Sequence, residues 1–435
     1  MLVSIGCICV LFQLALCLPS PKVTYNGHKV LEILHKTEDD FKKLLSMELK
    51  FELDIWKMPK HVNDSMYVRV GPQHLEGFVN ELGSLNTAVS TLVEDVQQLI
   101  DTHSSPRIHQ SHSNRRAVNA RSSGMNLTSY HTHESINNYL ALLTTQVLPN
   151  DVVATVETLG KSVEGRNVQM IKISSPYGAP KRGIFIDGGI HAREWIAPAT
   201  VVYVIEHLAY NPNDDSNIYS LLSHFDVYLV PVVNPDGYEY TKDVRLWRKN
   251  RNTNSGSSCV GVDLNRNFPF QWNPAVGGST NPCSDIYSGS YKGSEPETAN
   301  IVNYLLNHGS EFDAYLTIHS YGQMWLYPWG YTSALPDDYL DLDAAAGDAV
   351  EAIKGLHRKK YTIGSSTNTL YAAAGGSDDF AKGGAGIKYA YTIELRDTGA
   401  YGFSLPTSLI QPTSEEFLAG FLAFAENIFN NGYGK

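Results

Sequence analysis

Apolar positions change their spacing several times along this chain. Between residues 22 and 100, the stretches HKVLEIL and MYVRVGP predict strands. EDDFKKLLSMEL and LNTAVSTLVEDVQQLI carry apolar residues at helical spacing, so this region reads as a small α/β unit. Residues 103–124, HSSPRIHQSHSNRRAVNARSSG, hold few large apolar groups and read as an exposed linker. Beyond residue 130 the pattern resumes. RGIFIDGGI, DVYLVPVVN, AYLTIHS and KYAYTIEL are β-rich, whereas APATVVYVIEHLAY, EPETANIVNYLLNHG, AAAGDAVEAIKGLH and SEEFLAGFLAFAENIFN are helical. Strands and helices in alternation predict a mixed or parallel sheet covered by helices, with ligands bound at the carboxyl ends of its strands.

The opening residues, MLVSIGCICVLFQLALCLPS, form an uncharged apolar run too short for a comfortable membrane span. Small residues Ala15 and Cys17 precede Pro19, so residues 1–18 read as a secretory signal, though one without a basic start. Residues 19–102 then form a prodomain, 103–121 a cleavable linker and 122–435 the main domain. No later segment offers a membrane-spanning apolar run, and a secreted, extracellular protein is expected. Of the five cysteines, three lie in the signal. Cys259 and Cys283 remain, an even pair that predicts a disulfide; two buried free thiols are the alternative.

Charge divides along the same lines. Residues 19–121 hold 13 basic and 13 acidic residues, and the remainder holds 21 basic and 32 acidic. An acidic main domain without a basic patch argues against nucleic-acid binding. The linker offers Arg115, Arg116 and Arg121 to a trypsin-like protease. Arg121 is the favoured cut because it lies nearest the main domain. Asn63 and Asn126 head glycosylation sequons.

The pattern His-x-x-Glu occurs four times, at His35/Glu38, His131/Glu134, His191/Glu194 and His308/Glu311. Three of these read as surface polar pairs. His191/Glu194 alone leaves a buried strand through a glycine pair. A catalytic zinc takes three protein ligands and an open position, and His2Glu is a recurring set. His319, at the end of YLTIHS, is the candidate third ligand; alone it would read as a hydrogen-bonded core histidine. RLWRKNR and GVDLNRNF place cations nearby, including Arg248 and Arg266, suited to a carboxylate or an oxyanion. Lys249 and Arg251 fit a solvated loop. Glu394 ends an apolar run, where desolvation would poise it as a general base; an ion pair with Arg396 is the alternative.

Together GGIHAREWIAPAT, LWRKNR, CVGVDLNRNF, TIHSYGQMWLYPWGY, YAAAGGSDDFA and YTIELRDTGAYGF resemble the pancreatic-type zinc metallocarboxypeptidases, the carboxypeptidase A and B group. The resemblance covers most of residues 122–435, and the upstream unit resembles that family's activation segment. It implies an α/β fold: a mixed, mostly parallel twisted sheet flanked by helices, preceded by an open-sandwich prodomain. It implies that His191, Glu194 and His319 hold one zinc ion and that Glu394 activates water and passes the proton to the leaving amine. Arg248 would stabilise the oxyanion. Asn265, Arg266 and Tyr371 would clamp the substrate's terminal carboxylate, with Arg193 and Tyr321 as further substrate contacts. Cys259 and Cys283 match the family's disulfide.

Asp378, seven residues after Tyr371, matches the position that is apolar in A types and Asp in B types. A buried carboxylate there favours Lys or Arg at the substrate's C-terminus. The alternative is that Asp378 faces solvent or caps a helix. MWLYPW and YAAAGG depart in detail from the mammalian pancreatic forms. The expectation is a monomeric digestive-lumen zymogen, cut by a trypsin-like protease and acting on peptide and protein C-termini. A-type specificity is the alternative. A non-catalytic relative would lack a zinc ligand or the base, and this chain keeps all four residues.

Overall fold

Two sheets organise the chain in the computed structural model, which describes residues 22–104, 125–178, 180–210 and 215–432. The signal reading, most of the linker and Arg121 lie outside the described residues. The first sheet contains β1 (Lys29–His35), β2 (Asp54–Lys57), β3 (Ser65–Val70) and β4 (Thr87–Val93), in the order β2-β3-β1-β4. All its pairings are antiparallel. Helices α1 (Glu38–Ser46) and α2 (Pro72–Leu82) bury Leu44 and Phe78 against Leu31, Ile33 and Val68 of this sheet.

The helix predicted over LNTAVSTLVEDVQQLI is instead β4 followed by α3 (Val96–Ser104). Its Thr and Val residues are β-branched and suit a strand, and β4 finds a hydrogen-bonding partner in β1. Asp95 then starts the helix by accepting the Gln98 amide at 2.8 Å.

The second sheet has eight strands. They are β5 (Val153–Lys161), β6 (Asn167–Ser174), β7 (Arg182–Gly188), β8 (Phe225–Val230), β9 (Phe312–Ser320), β10 (Met324–Tyr327), β11 (Thr362–Ser365) and β12 (Tyr389–Leu395). Their order is β11-β10-β12-β9-β7-β8-β6-β5. The central strands β12, β9, β7 and β8 run parallel; outside them β10–β12, β8–β6 and β6–β5 pair antiparallel and the edge pair β10–β11 is parallel. One face packs under α4 (His133–Leu143), α5 (Ile196–Tyr210), α6 (Ser216–His224), the short α7 (Pro235–Tyr240), α9 (Tyr339–His357) and α12 (Ile410–Gly432). The opposite face, with Phe185, Tyr315 and Ala390, packs against α8 (Pro296–His308) and Phe268 and Phe380. Parallel strands buried on both faces read as continuous apolar runs, which is why β7, β9 and β12 were legible.

Cys259 and Cys283 form a disulfide across a separation of 24 residues. The closed loop carries Asp263, Asn265 and Arg266. Replacing both cysteines by serine removes that constraint on the unfolded chain. Urea unfolding of the double variant should show about 3 kcal/mol less stability. An unchanged midpoint would contradict the assigned role of the bridge.

Candidate metal centre and active site

Strand β7 stops at Gly188, and the chain must turn sharply while packed against α5. Gly189 adopts φ +68°, and a Cβ there would meet the Pro231 carbonyl at 3.3 Å. The Gly188 and Gly189 carbonyls accept the Val233 and Asn234 amides, each at 3.0 Å. Buried Asn234 ties the segment to its neighbour, donating to the Ile190 and Lys249 carbonyls at 3.1 Å each. His191 and Glu194 follow this turn. His319 and Glu394 sit one residue before the ends of β9 and β12 and face one another in the parallel register. Three adjacent parallel strands therefore deliver these groups to one edge.

His191, Glu194 and His319 are buried, with ligand atoms within 4.8 Å of one another. His191 Nδ1 lies 2.8 Å from Glu194 Oε1, and His319 Nδ1 lies 2.9 Å from Glu194 Oε2 and 3.1 Å from His191 Nδ1. A tetrahedral zinc with bonds of about 2.0–2.1 Å separates its ligands by roughly 3.3 Å, so the set fits that ion. Two imidazole nitrogens and a carboxylate converge where a cation satisfies all three. Burial penalises a charged Glu194, but His191 and His319 hold its carboxyl well below the usual range. Burial likewise opposes charge on His319, yet Glu194 draws it up to about 9.

The outer shell is anionic. Asp263, fully buried, accepts from His191 Nε2 at 3.0 Å and from Arg248 Nε and Nη2 at 3.1 and 2.8 Å. One carboxylate thus orients a ligand histidine and a guanidinium. Its burial is offset by Arg248 and His191, which hold its carboxyl well below normal. Glu394 is half-buried, and desolvation raises its carboxyl to about 8. The alternative ion pair with Arg396 is not formed, because Arg396 Nε donates to Glu416 at 2.8 Å.

The predicted clamp residues come together. Arg266 Nη2 lies 3.4 Å from the Tyr371 hydroxyl, and its Nε and Nη1 donate to the Gly277 and Asn265 carbonyls. Asn265 Oδ1 accepts the Ser377 amide at 2.9 Å, tying the clamp to the short helical turn α11 (Ser377–Asp379), which follows α10 (Ser366–Thr369). Gly375 is needed here: at φ +79°, a Cβ would lie 2.4 Å from the Arg266 carbonyl. Asp378 is buried rather than facing solvent, and accepts the Ser366 hydroxyl at 3.2 Å. Burial raises its carboxyl. Asp379 instead accepts the Gly330 and Tyr331 amides at 2.8–3.0 Å.

Two predicted substrate contacts lie beneath the N-terminal unit. Arg193 is 1% exposed, and its Nη1 donates to Asp54 of β2 at 2.7 Å. Asp54 also accepts from Arg69 Nε at 3.0 Å and Trp56 Nε1 at 2.9 Å. The Tyr321 ring lies 5.1 Å from Phe403, which packs edge-on against Trp56 at 5.4 Å. Both residues are thus covered by the N-terminal unit.

Three readings are corrected. Lys249 is buried, not solvated, and its Nζ donates to the Pro282 carbonyl at 2.7 Å. Arg251 is partly buried, stacked 3.6 Å from the Tyr240 ring centroid. His35 is buried beside Phe41, because β1 turns it inward, so it is not a surface residue. Sequence reasoning missed Asp263 and Asp54. The first lies two residues before Asn265 within a quoted motif, and a carboxylate beside buried cations was its signal. The second had none, because Arg193 lies 139 positions further along the chain.

The chain matches the zinc carboxypeptidase family over residues 136–420 and the carboxypeptidase activation peptide over residues 31–103. It is 52% identical to carboxypeptidase B of Astacus astacus, covering 68% of this chain and 96% of that protein. It is 38% identical to carboxypeptidase A2 of Mus musculus, covering 94% and 96%. Among solved structures, thrombin-activatable fibrinolysis inhibitor superposes with a TM-score of 0.81 at 33% identity, covering 93% of this chain and all of that one. This chain belongs to the zinc carboxypeptidase family. It is a peptide-bond hydrolase of the kind that uses one catalytic zinc, and its activation peptide makes it a zymogen opened by proteolysis. No helix among the described residues is long and apolar enough to cross a membrane.

The Asp54–Arg193 pair gives a direct expectation. Removing one partner of a buried ion pair costs about 3–5 kcal/mol. Asp54→Ala should therefore loosen the prodomain and raise peptide hydrolysis by the uncleaved protein at least about tenfold. Activity equal to that of the unaltered zymogen would contradict the contact's role.

Proposed function

We propose that the protein is a secreted, monomeric zymogen of the digestive lumen that, once cut after Arg121, removes C-terminal Lys or Arg from peptides and proteins. Residues 19–102 act as the inhibitory prodomain and 122–435 as the enzyme. The observation that carries the basic preference is Asp378. Its carboxyl is buried, and its bonding partners are the Ser366 and Thr392 hydroxyls and a backbone amide rather than a cation. A substrate Lys or Arg supplies the missing charge, whereas an apolar side chain leaves the carboxylate unpaired. The 52% identity to a protein named carboxypeptidase B supports this over the A-type alternative.

His191, Glu194 and His319 hold zinc, which when bound supplies a Lewis acid that polarises the scissile carbonyl and lowers the pKa of water to about 7. Glu394 takes a proton from the attacking water and returns it to the leaving amine. Burial raises its carboxyl to about 8, close enough to neutrality to suit it to both steps. Arg248, fixed by Asp263, donates to the oxyanion as charge develops there. Asn265, Arg266 and Tyr371 grip the terminal carboxylate, so an internal peptide bond finds no charge to anchor it. Arg193 and Tyr321 meet residues upstream of the cut once the prodomain has left.

Two variants test the assignments. Glu394→Gln should lower kcat at least about 100-fold while one zinc per chain stays bound. Undiminished turnover would sink the base. Asp378→Ile should shift the ratio of kcat/KM for Arg- over Phe-terminated peptides by at least about 100-fold toward Phe. An unchanged ratio would refute the pocket reading.

A further inference from the structure

A second buried carboxylate lies beneath the triad and takes no part in the steps above. Asp187 is the penultimate residue of β7, fully buried, and stands opposite Thr317 of β9 in the parallel register. Side chains alternate along a strand, so Tyr315, Thr317 and His319 share one face of β9. That row runs from the core of the sheet to the metal centre.

Its hydrogen bonds run in one direction. The Tyr315 hydroxyl donates to Asp187 Oδ2, and the Thr317 hydroxyl donates to Asp187 Oδ1 at 2.7 Å. Thr317 Oγ1 lies 3.3 Å from His319 Nε2. The other nitrogen of that ring, Nδ1, faces Glu194 and His191. With Nδ1 serving the triad, the ring proton belongs on Nε2, where it is donated to Thr317 Oγ1. The Thr317 hydroxyl has already turned its own proton toward Asp187, so its lone pair faces the ring. His191 has the same arrangement in shorter form, its Nε2 meeting Asp263 directly at 3.0 Å.

A carboxylate inside an apolar sheet is costly unless its bonds are made. Here both oxygens are occupied, one of them by a hydroxyl that reaches a metal ligand. Carboxylates linked to the remote nitrogen of a ligand histidine fix its tautomer and ring orientation. We propose that Asp187 is a positioning residue for the metal centre, acting through Thr317 to hold His319 with Nδ1 aimed at the ion. This rests on the reading of His191, Glu194 and His319 as the zinc ligands.

The test is zinc affinity of the full-length zymogen, measured by competition with a chromophoric chelator, together with thermal midpoints of the zinc-free forms. Thr317→Val and Asp187→Asn should each weaken zinc binding about 10–100-fold, and Thr317→Ser, which keeps the hydroxyl, should restore wild-type affinity. A mere bolt between β7 and β9 would lower the zinc-free midpoint of Thr317→Val and leave its zinc affinity at the wild-type value, and that result overturns the proposal. A second readout needs no variant. In the zinc-loaded wild type, the His319 Nε2 proton should give a slowly exchanging downfield NMR resonance, and rapid exchange of that proton would contradict the proposal. Failure of the wild type to bind zinc would instead overturn the triad itself.

Discussion

Everything in this molecule depends on the register of three adjacent parallel strands. β12, β9 and β7 end at one edge, and the pairing of Glu394 with His319 and of Gly188 with Ile318 sets where each catalytic group emerges. A slip of one residue would turn His319 and Glu394 to the opposite face of the sheet. Burial on both faces forbids such a slip, because the apolar residues on either side are packed under helices. The core therefore holds the chemistry in place.

Charge accounting follows from that placement. Groups gathered at the edge of a core are desolvated, and each buried charge requires a partner. Asp263 serves both His191 and Arg248, so one carboxylate couples a histidine of the candidate metal centre to a buried guanidinium. Asp54 serves Arg193 only while the prodomain is attached. Within the main domain Arg193 also meets the Leu246 carbonyl at 3.3 Å and stacks 4.0 Å from the Phe403 ring centroid, so its guanidinium is held from both sides.

Much of this was legible in the sequence, for physical reasons. Doubly buried strands leave continuous apolar runs, and His191, His319 and Glu394 stood out as polar residues at their ends. The pairing of Cys259 with Cys283 followed from their being the cysteines left once residues 1–18 are read as a signal. The failures have causes too. TAVSTLV satisfies helical spacing, yet its β-branched residues pair as β4 once β1 offers an edge. His35 and Lys249 looked exposed because local polarity says nothing of what packs over them. The Asp54–Arg193 pair spans 139 positions, and the Asp187–Thr317 contact spans 130. No local pattern encodes such contacts.

Specificity is decided most plainly with the unaltered protein after tryptic activation. Two peptides identical except for a C-terminal Arg or Phe are compared by kcat/KM. The Arg peptide should be preferred by at least about 100-fold, because Asp378 is left unpaired by Phe. Equal rates, or a preference for Phe, would contradict it.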